Sequence, residues 1–469
     1  MKLLYEAPGL CLLTSLVISI LLTAKGFPFW LASVVAGSVM LSLGFCSYDG
    51  TDEVFVILIL CFLIGLSGSL WLTWRVTHEP KLPDRLTETA IVSFERPWGS
   101  KRALILKTAQ GNYVAEVTPN LALREGDRIK VKASVLPLEK KTSGFNPYTY
   151  WRARGVSGRL VGLQLLKSNK GRTFSLYCWR SILRKWVLLN FPLRVRGYLL
   201  ALLFGVKDPD LAQVHARWGT SHLLAVSGFH VALVVGIVFR ALRRTRWKVQ
   251  ISLFLLFLYL AFTGFAASAM RAGIMVAFIL MGKLIGRPMK AIQAVSLAAV
   301  CLLLWRPWFV WDVGWKLSVL SALAIGCIDI FPKRFSLLLS SAFLWTITAG
   351  IVLVTFKTLP IAGLITNIFA IPIFAILFMA VLLSVPIALL PYGLGATVIS
   401  FVEKSILAFE YVLNWMTSFV PMSIVDTWHW PFISLAVFFI ILARKLELGC
   451  LRSVCVTICG LMLYGVLLS

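Results

Sequence analysis

The sequence predicts a polytopic α-helical membrane protein, with about 10–12 membrane segments, that carries one inserted soluble β domain of the small-barrel, OB-like kind. Three observations predict it. The 469 residues are 59% hydrophobic and only 14% charged, with a mean hydropathy of +0.86, which excludes an ordinary soluble domain. Apolar runs approaching the roughly 20 residues of a spanning helix recur with short polar breaks. Between Arg75 and Lys170 those runs stop and short alternating stretches replace them.

Taken in order, "GLCLLTSLVISILLTA" (Gly9–Ala24) follows Lys2 as a signal peptide would. No small-residue cleavage site comes after it and a second run opens near Phe27, so it reads as a retained anchor. With "VFVILILCFLIGLSGSLWLTW" (Val54–Trp74), residues 1–76 form an N-terminal group of transmembrane helices. Residues 77–170 form the β domain. Its stretches "ETAIVSF", "RALILKT", "NYVAEVT" and "DRIKVKASVL" alternate polar and apolar side chains, and "RPWGSK", "AQGN" and "REG" punctuate them as turns. Three spans precede it, so a cytoplasmic Lys2 places the insert outside the cytoplasm.

The insert is basic: from Arg75 to Lys170, 18 Lys and Arg stand against 8 Asp and Glu. That balance fits either a solvated plug or a barrel that tracks phosphates with cations and stacks bases on rings. Phe94, Trp98, Tyr113, Phe145, Tyr148, Tyr150 and Trp151 could supply rings, with Trp98 and Tyr113 the candidates for stacking. Lys130 and Lys132 alternate onto one face of "DRIKVKASVL" as candidate phosphate contacts.

Residues 171–469 form a second helical membrane domain. "SLYCWRSILRKWVLLNF" (Ser175–Phe191) reads as an amphipathic helix in the interface, anchored by Trp179 and Trp186. "RVRGYLLALLFGVKD" (Arg194–Asp208) is short for a span and reads as a core or re-entrant helix. The basic loops "RALRRTRWK" (Arg240–Lys248), "GKLIGRPMK" (Gly282–Lys290), "PKR" (Pro332–Arg334) and "ARKLELGCLR" (Ala443–Arg452) follow the positive-inside pattern, which puts "WRPWFVWD" (Trp305–Asp312) at the outer interface.

Polar residues inside apolar runs are the functional candidates. "SHLLAVSGFHVALVV" (Ser221–Val235) holds His222, Ser227, Gly228 and His230 where a structural span would carry leucine. Two histidines eight residues apart on one helix differ by about 80° and about 12 Å, so they cannot share a ligand unless the helix breaks. Ser227-Gly228 is the place for a break, and discontinuous helices line cavities. Arg271 stays charged and must face protein or water. Asp312 and Lys316 lie one turn apart and read as an interfacial ion pair or a polar lining; Asn367 reads as helix glue or lining.

Several chemistries find no support. The nine cysteines include no CxxC and no zinc spacing, and Cys455 and Cys459 read as small core residues. "MGKLIG" lacks the remaining positions of a nucleotide-binding phosphate loop, so no ATPase and no cofactor are expected.

Five blocks in order carry a resemblance. "GFNPYTYWRARGVSG" (Gly144–Gly158), "GTSHLLAVSGFHVALVVG" (Gly219–Gly236), "TGFAASAMRAGIM" (Thr263–Met275), "DVGWKLSVLSALAIG" (Asp312–Gly326) and "LPIAGLITNIFAIPIF" (Leu359–Phe374) resemble the ComEC-type competence proteins, the DNA-uptake channels of natural transformation. The resemblance implies an inner-membrane channel for single-stranded DNA, with the OB-like domain capturing the strand. It implies a translocation pathway through His222, Ser227, Gly228, His230, Ser268, Arg271, Lys316, Ser318 and Asn367. It also implies partners beyond DNA and membrane lipid: a DNA receptor, a cytoplasmic motor or single-strand-binding protein, a separate nuclease, and further copies of the chain in a homo-oligomer. The sequence departs from the family twice. No HxHxDH cluster of a metallo-β-lactamase-like nuclease is present, so no nuclease is expected, and Trp315-Lys316 stands where the family has an aromatic followed by glutamine. Two other functions fit the same polar residues: a secondary transporter for a small anionic solute, and an intramembrane enzyme using His222 or His230 with Ser227.

Overall fold

The computed structural model describes residues 8–45, 52–118, 121, 123–141, 145–170, 175–390, 392–419 and 430–445. Lys2, Cys46, Gly144, Cys455, Cys459 and the stretch after Lys445 lie outside the described residues. The N-terminal apolar runs fold as three mutually packed helices: α1 (Pro8–Ala24), α2 (Phe29–Phe45) and α3 (Asp52–Thr77).

The insert is a closed five-stranded barrel built from β1 (Arg85–Trp98), β2 (Lys101–Lys107), β3 (Asn112–Val117), β4 (Arg128–Leu136) and β5 (Gly158–Asn169), with α4 (Pro147–Ala153) between the last two strands. Neighbours run β1-β2-β3-β5-β4 around the barrel, and only β3 and β5 pair in parallel. An irregularity at Val92/Phe94 bends β1, so that Arg85–Ile91 pair with β4 and Ile91–Trp98 with β2. One strand thereby closes the barrel on two sides. Along β4 the alternation is complete: Ile129, Val131, Ala133 and Val135 point in, while Arg128, Lys130, Lys132 and Ser134 point out.

The remaining chain is helical: α5 (Leu176–Asn190), α6 (Leu193–Phe204), α7 (Pro209–Arg217), α8 (Gly228–Ala241), α9 (Lys248–Phe262), α10 (Ala267–Leu284) and α11 (Ala291–Trp305). A 3-10 turn (Pro307–Trp311) then leads to α12 (Val313–Ile325), α13 (Ser336–Phe356), α14 (Gly363–Ile387), α15 (Tyr392–Ser418) and α16 (Trp430–Lys445). Local chemistry sets several ends. Asp208 accepts from the Asp210 and Leu211 amides ahead of α7, Asp312 accepts from the Trp315 amide ahead of α12, and Gly205 ends α6 with φ +66°.

Among the described residues, Val313–Ile330, Ser336–Phe356 and Gly363–Ile387 are long and apolar enough to cross a membrane. Gly9–Ala24, Gly228–Ala241, Lys248–Phe262 and Ala291–Trp305 are apolar but shorter. At 1.5 Å per residue these four reach about 21–24 Å, against a hydrocarbon core of about 30 Å. Helix α6 is a buried core helix, and α5 is amphipathic as expected. Trp179 is exposed, whereas Trp186 is half-buried against Phe191 and the adjoining core.

Two large apolar cores organise the described helices. One joins α6–α10 with α14 and α15; the other joins α1, α11–α13 and α16. Met270 on α10 touches both, which marks the seam between them. The barrel sits over that seam, held by Arg180 of α5. The Arg180 Nη1 lies 3.2 Å from Glu125 Oε2 of the insert, and its Nη2 donates to the Phe204 carbonyl at 2.7 Å.

Candidate functional site

Between the barrel and the helices lies a cavity of about 1620 Å³. Its roof is Ser93, Phe94 and Arg96 of β1 with Tyr150 and Arg154 from α4 and its end; its floor includes Val226, Ser268 and Lys316. Eight of the lining residues are Lys or Arg (Arg96, Lys107, Arg154, Arg180, Lys207, Arg306, Lys316 and Lys357), while Asp312 is the one lining carboxylate among the described residues.

The cations are positioned by aromatic rings. The Arg154 guanidinium carbon lies 3.6 Å from the Tyr150 ring centroid and that of Arg96 5.4 Å from it. Arg306 stacks on Trp305 at 4.2 Å and donates to the Ala153 carbonyl at 3.1 Å. Trp98, Phe145 and Trp151 pack around Tyr150. The segment "FNPYTYWRARG" therefore docks on "WRPWFVWD", and Gly155 permits it: with φ +77°, a Cβ there would come within 2.6 Å of the Arg306 Nη2.

Crowding shows in the electrostatics. Burial, then the Arg154 charge, holds Arg96 down at about 10. Burial followed by the charges of Arg75 and Arg154 does the same to Arg306, also to about 10. Burial lowers Arg154 while Asp312 opposes it, and burial with nearby Arg96 lowers Lys207. A water-accessible space with so little negative charge attracts a polyanion, whose phosphates relieve the mutual repulsion.

Several expected pathway residues gather beneath the floor. No helix breaks at Ser227, because none leads into it: residues 218–227 are turn and loop, and α8 begins at Gly228, with Ser227 extended (φ −118°, ψ 168°) and its amide donating to His230 Nδ1 at 3.2 Å. Ser268 donates to the Val226 carbonyl at 2.6 Å, and the Arg271 Nε donates to the Ser318 hydroxyl at 2.9 Å across the seam. Lys316 lines the cavity. His222 lies on the exposed turn ahead of α8, and His230 is turned away into Phe374 and Phe378 of α14. Asn367 stands beside Gly363, where α14 meets Gly219. Asp312 and Lys316 make no pair: Asp312 instead caps α12 and faces Arg154 at 3.4 Å.

The four barrel candidates separate. Lys130 and Lys132 are exposed on the outer face beside Lys167 and Gln164 of β5. Trp98 stands behind Tyr150 in the aromatic cluster near the cavity. Tyr113 is 1% exposed inside the barrel, so its ring cannot meet an external base without opening the fold.

Residues that sequence reasoning missed include Arg96, Arg154, Lys207 and Arg306. Tyr150 was only one ring among many, although its segment's density of rings and arginines was a legible signal. A buried polar chain also escaped it. The Tyr198 hydroxyl bonds His215 Nε2 at 2.9 Å and Glu410 Oε1 at 3.3 Å, His215 Nδ1 lies 2.9 Å from the Thr220 hydroxyl, and Arg194 Nε lies 3.5 Å from Glu410 Oε2. Scattered positions gave it no pattern. Among the described residues no three His, Cys, Asp or Glu side chains gather as a metal set.

Residues 202–448 match the family model described as Competence protein. The chain is 31% identical over 184 residues to "ComE operon protein 3" of Bacillus subtilis, an alignment covering 38% of this chain and 22% of that protein. It is 24% identical over 229 residues to "Recombination protein 2" of Haemophilus influenzae, covering 41% of this chain and 28% of that protein. These alignments span less than a third of either curated relative. No solved structure matches.

Proposed function

The chain belongs to the Competence protein family, and we propose that it conducts single-stranded DNA through the cytoplasmic (inner) membrane as a multi-pass channel during natural transformation. The observation that carries this reading is the cation-rich, ring-lined cavity between barrel and helices, with eight Lys and Arg against one Asp. It has the chemistry that single-strand sites use, charge for the backbone and rings for the bases. In this reading the domain from 77 to 170 captures the strand outside. The seam at Ser268, Arg271, Lys316 and Ser318 passes it inward through residues 171–469, with residues 1–76 as anchor.

The role asks no bond-making chemistry of the chain itself. Direction comes from partners: a receptor that delivers the strand, a cytoplasmic motor or single-strand-binding protein that retains it, and a separate nuclease that removes the complementary strand. The test uses the full chain in nanodiscs with a fluorescent oligo-dT. Affinity should fall with salt along a log-log line of about −0.7 per phosphate contact, and Arg96→Gln with Arg154→Gln should make that line shallower by about one to two contacts. Salt-independent binding, or a slope the double variant leaves alone, would remove the cavity from the route and favour a small anionic solute as cargo.

A further inference from the structure

The seam below the cavity holds an arrangement that is unfavourable as it stands. Arg271 of α10 is 3% exposed, and its Nε is satisfied by Ser318 of α12. Its Nη1 has no partner, and none of the ion pairs among the described residues includes Arg271. The Nη2 lies over Gly228, where an added Cβ would stand 3.0 Å from it. Gly228 opens α8, whose first-turn N–H groups have no intrahelical acceptor and whose dipole makes that end electropositive. The Ser227 amide and hydroxyl both meet His230 Nδ1 at 3.2 Å, and the amides of Gly228 and Phe229 open the helix.

A buried guanidinium thus faces the positive end of a helix in a low-dielectric seam. The two repel unless an anion binds beside both. An anion bridging the unpartnered Nη1 and the open amides of the first turn would find the donor set of a phosphate site. The absence of a side chain at Gly228 lets the guanidinium lie directly against the start of α8. The place also has access, because Ser268, one turn before Arg271 on α10, and Val226, two residues before Gly228, line the cavity floor.

We propose that Arg271 and the N-terminus of α8 form a binding site for one phosphate group. Resting on the conduit reading, that group is a phosphodiester of the passing strand, held in turn and released. In a membrane the same chemistry is offered by a phospholipid headgroup, and the test separates the two sources.

The test is made on the full chain in phosphate-free detergent stripped of lipid. Radiolabelled inorganic phosphate in equilibrium dialysis should bind saturably and raise the melting temperature. Arg271→Met and Gly228→Ala should each weaken binding about tenfold or more, the loss expected for a charge-assisted contact. Gly228→Ala retains the arginine and adds a methyl group that meets its Nη2 at 3.0 Å and the Ala272 Cβ at 3.4 Å, so an unchanged melting temperature without phosphate separates its effect from loss of fold. The melting temperature of Arg271→Met without phosphate should equal or exceed that of the parent, since a repulsion is removed. Competition by dTpdT assigns the site to the strand; competition by short-chain phosphatidylglycerol alone assigns it to lipid, and either keeps the phosphate site. Absence of saturable phosphate binding, or equal binding by both variants, overturns it, while oligo-dT affinity in that case would leave the conduit reading standing. Phosphate binding with no oligonucleotide binding at all would do the reverse.

Discussion

Arg180 joins three parts of the molecule with one side chain. Its guanidinium meets Glu125 of the insert, the carbonyl ending α6, and the Phe94 ring at 4.9 Å. Burial raises Glu125 and lowers Arg180, each against the pull of its partner, so neither charge survives alone at low cost. Removing one partner of such a pair costs about 3–5 kcal/mol, whereas replacing both by apolar groups is close to neutral. Arg180→Met should therefore lower the melting temperature of the purified protein sharply, and Glu125→Leu added to it should recover most of the loss. An additive double variant would show that the pair does not bind the barrel to the helices. Gly155 makes a second case: Gly155→Ala places a Cβ in a left-handed conformation costing about 1–2 kcal/mol and against Arg306, so it should both destabilise the protein and weaken oligo-dT binding.

Elements divide the work that composition only totals. Strand β4 buries one face and shows a basic stripe on the other, since side chains alternate with a period of two. Lys130 and Lys132 of that stripe lie outside the cavity lining, which holds Tyr150 with Arg96 and Arg154. If the outer stripe only steers, Lys130→Gln with Lys132→Gln should slow oligonucleotide association at low salt and leave the dissociation rate unchanged. A faster dissociation would move the contact face to β4 and β5. The turn from Gly219 to Ser227 is equally constrained. A Cβ at Gly219, where φ is +73°, would stand 2.6 Å from the Gly363 Cα, so Gly219→Ala should push this turn off α14 and lower DNA uptake along with the melting temperature. An unchanged melting temperature would show that the turn and α14 need not touch.

On the scale of the whole molecule, two apolar cores with a barrel above their seam give a cavity whose walls belong to different parts of the chain. Such a seam can open by sliding one core against the other while each core remains packed. Helices α8 and α10 run from the cavity floor to the basic loops Arg240–Lys248 and Gly282–Lys290, which sets those loops away from the insert. In a cysteine-free background, a cysteine at Gln110 should react with an impermeant maleimide added to spheroplasts, and one at Arg244 should react only after lysis. The opposite pattern would invert the proposed orientation and remove the barrel from the side where the strand arrives.

The sequence by itself determined the class of fold and the barrel insert, because periodicity and turn residues act over a few neighbouring positions; it marked Ser227-Gly228 as an interruption, but not that the stretch before it is a turn rather than a helix. The surplus of positive charge was legible for the same reason. What only the tertiary structure decided is where that charge converges. Arg154 meets Asp312 across 158 positions, and Arg271 meets Ser318 across 47. No local pattern records those separations. They are set by which apolar faces pack together, and packing also took Tyr113 into the barrel and brought Tyr150, Arg154 and Arg306 to one cavity wall.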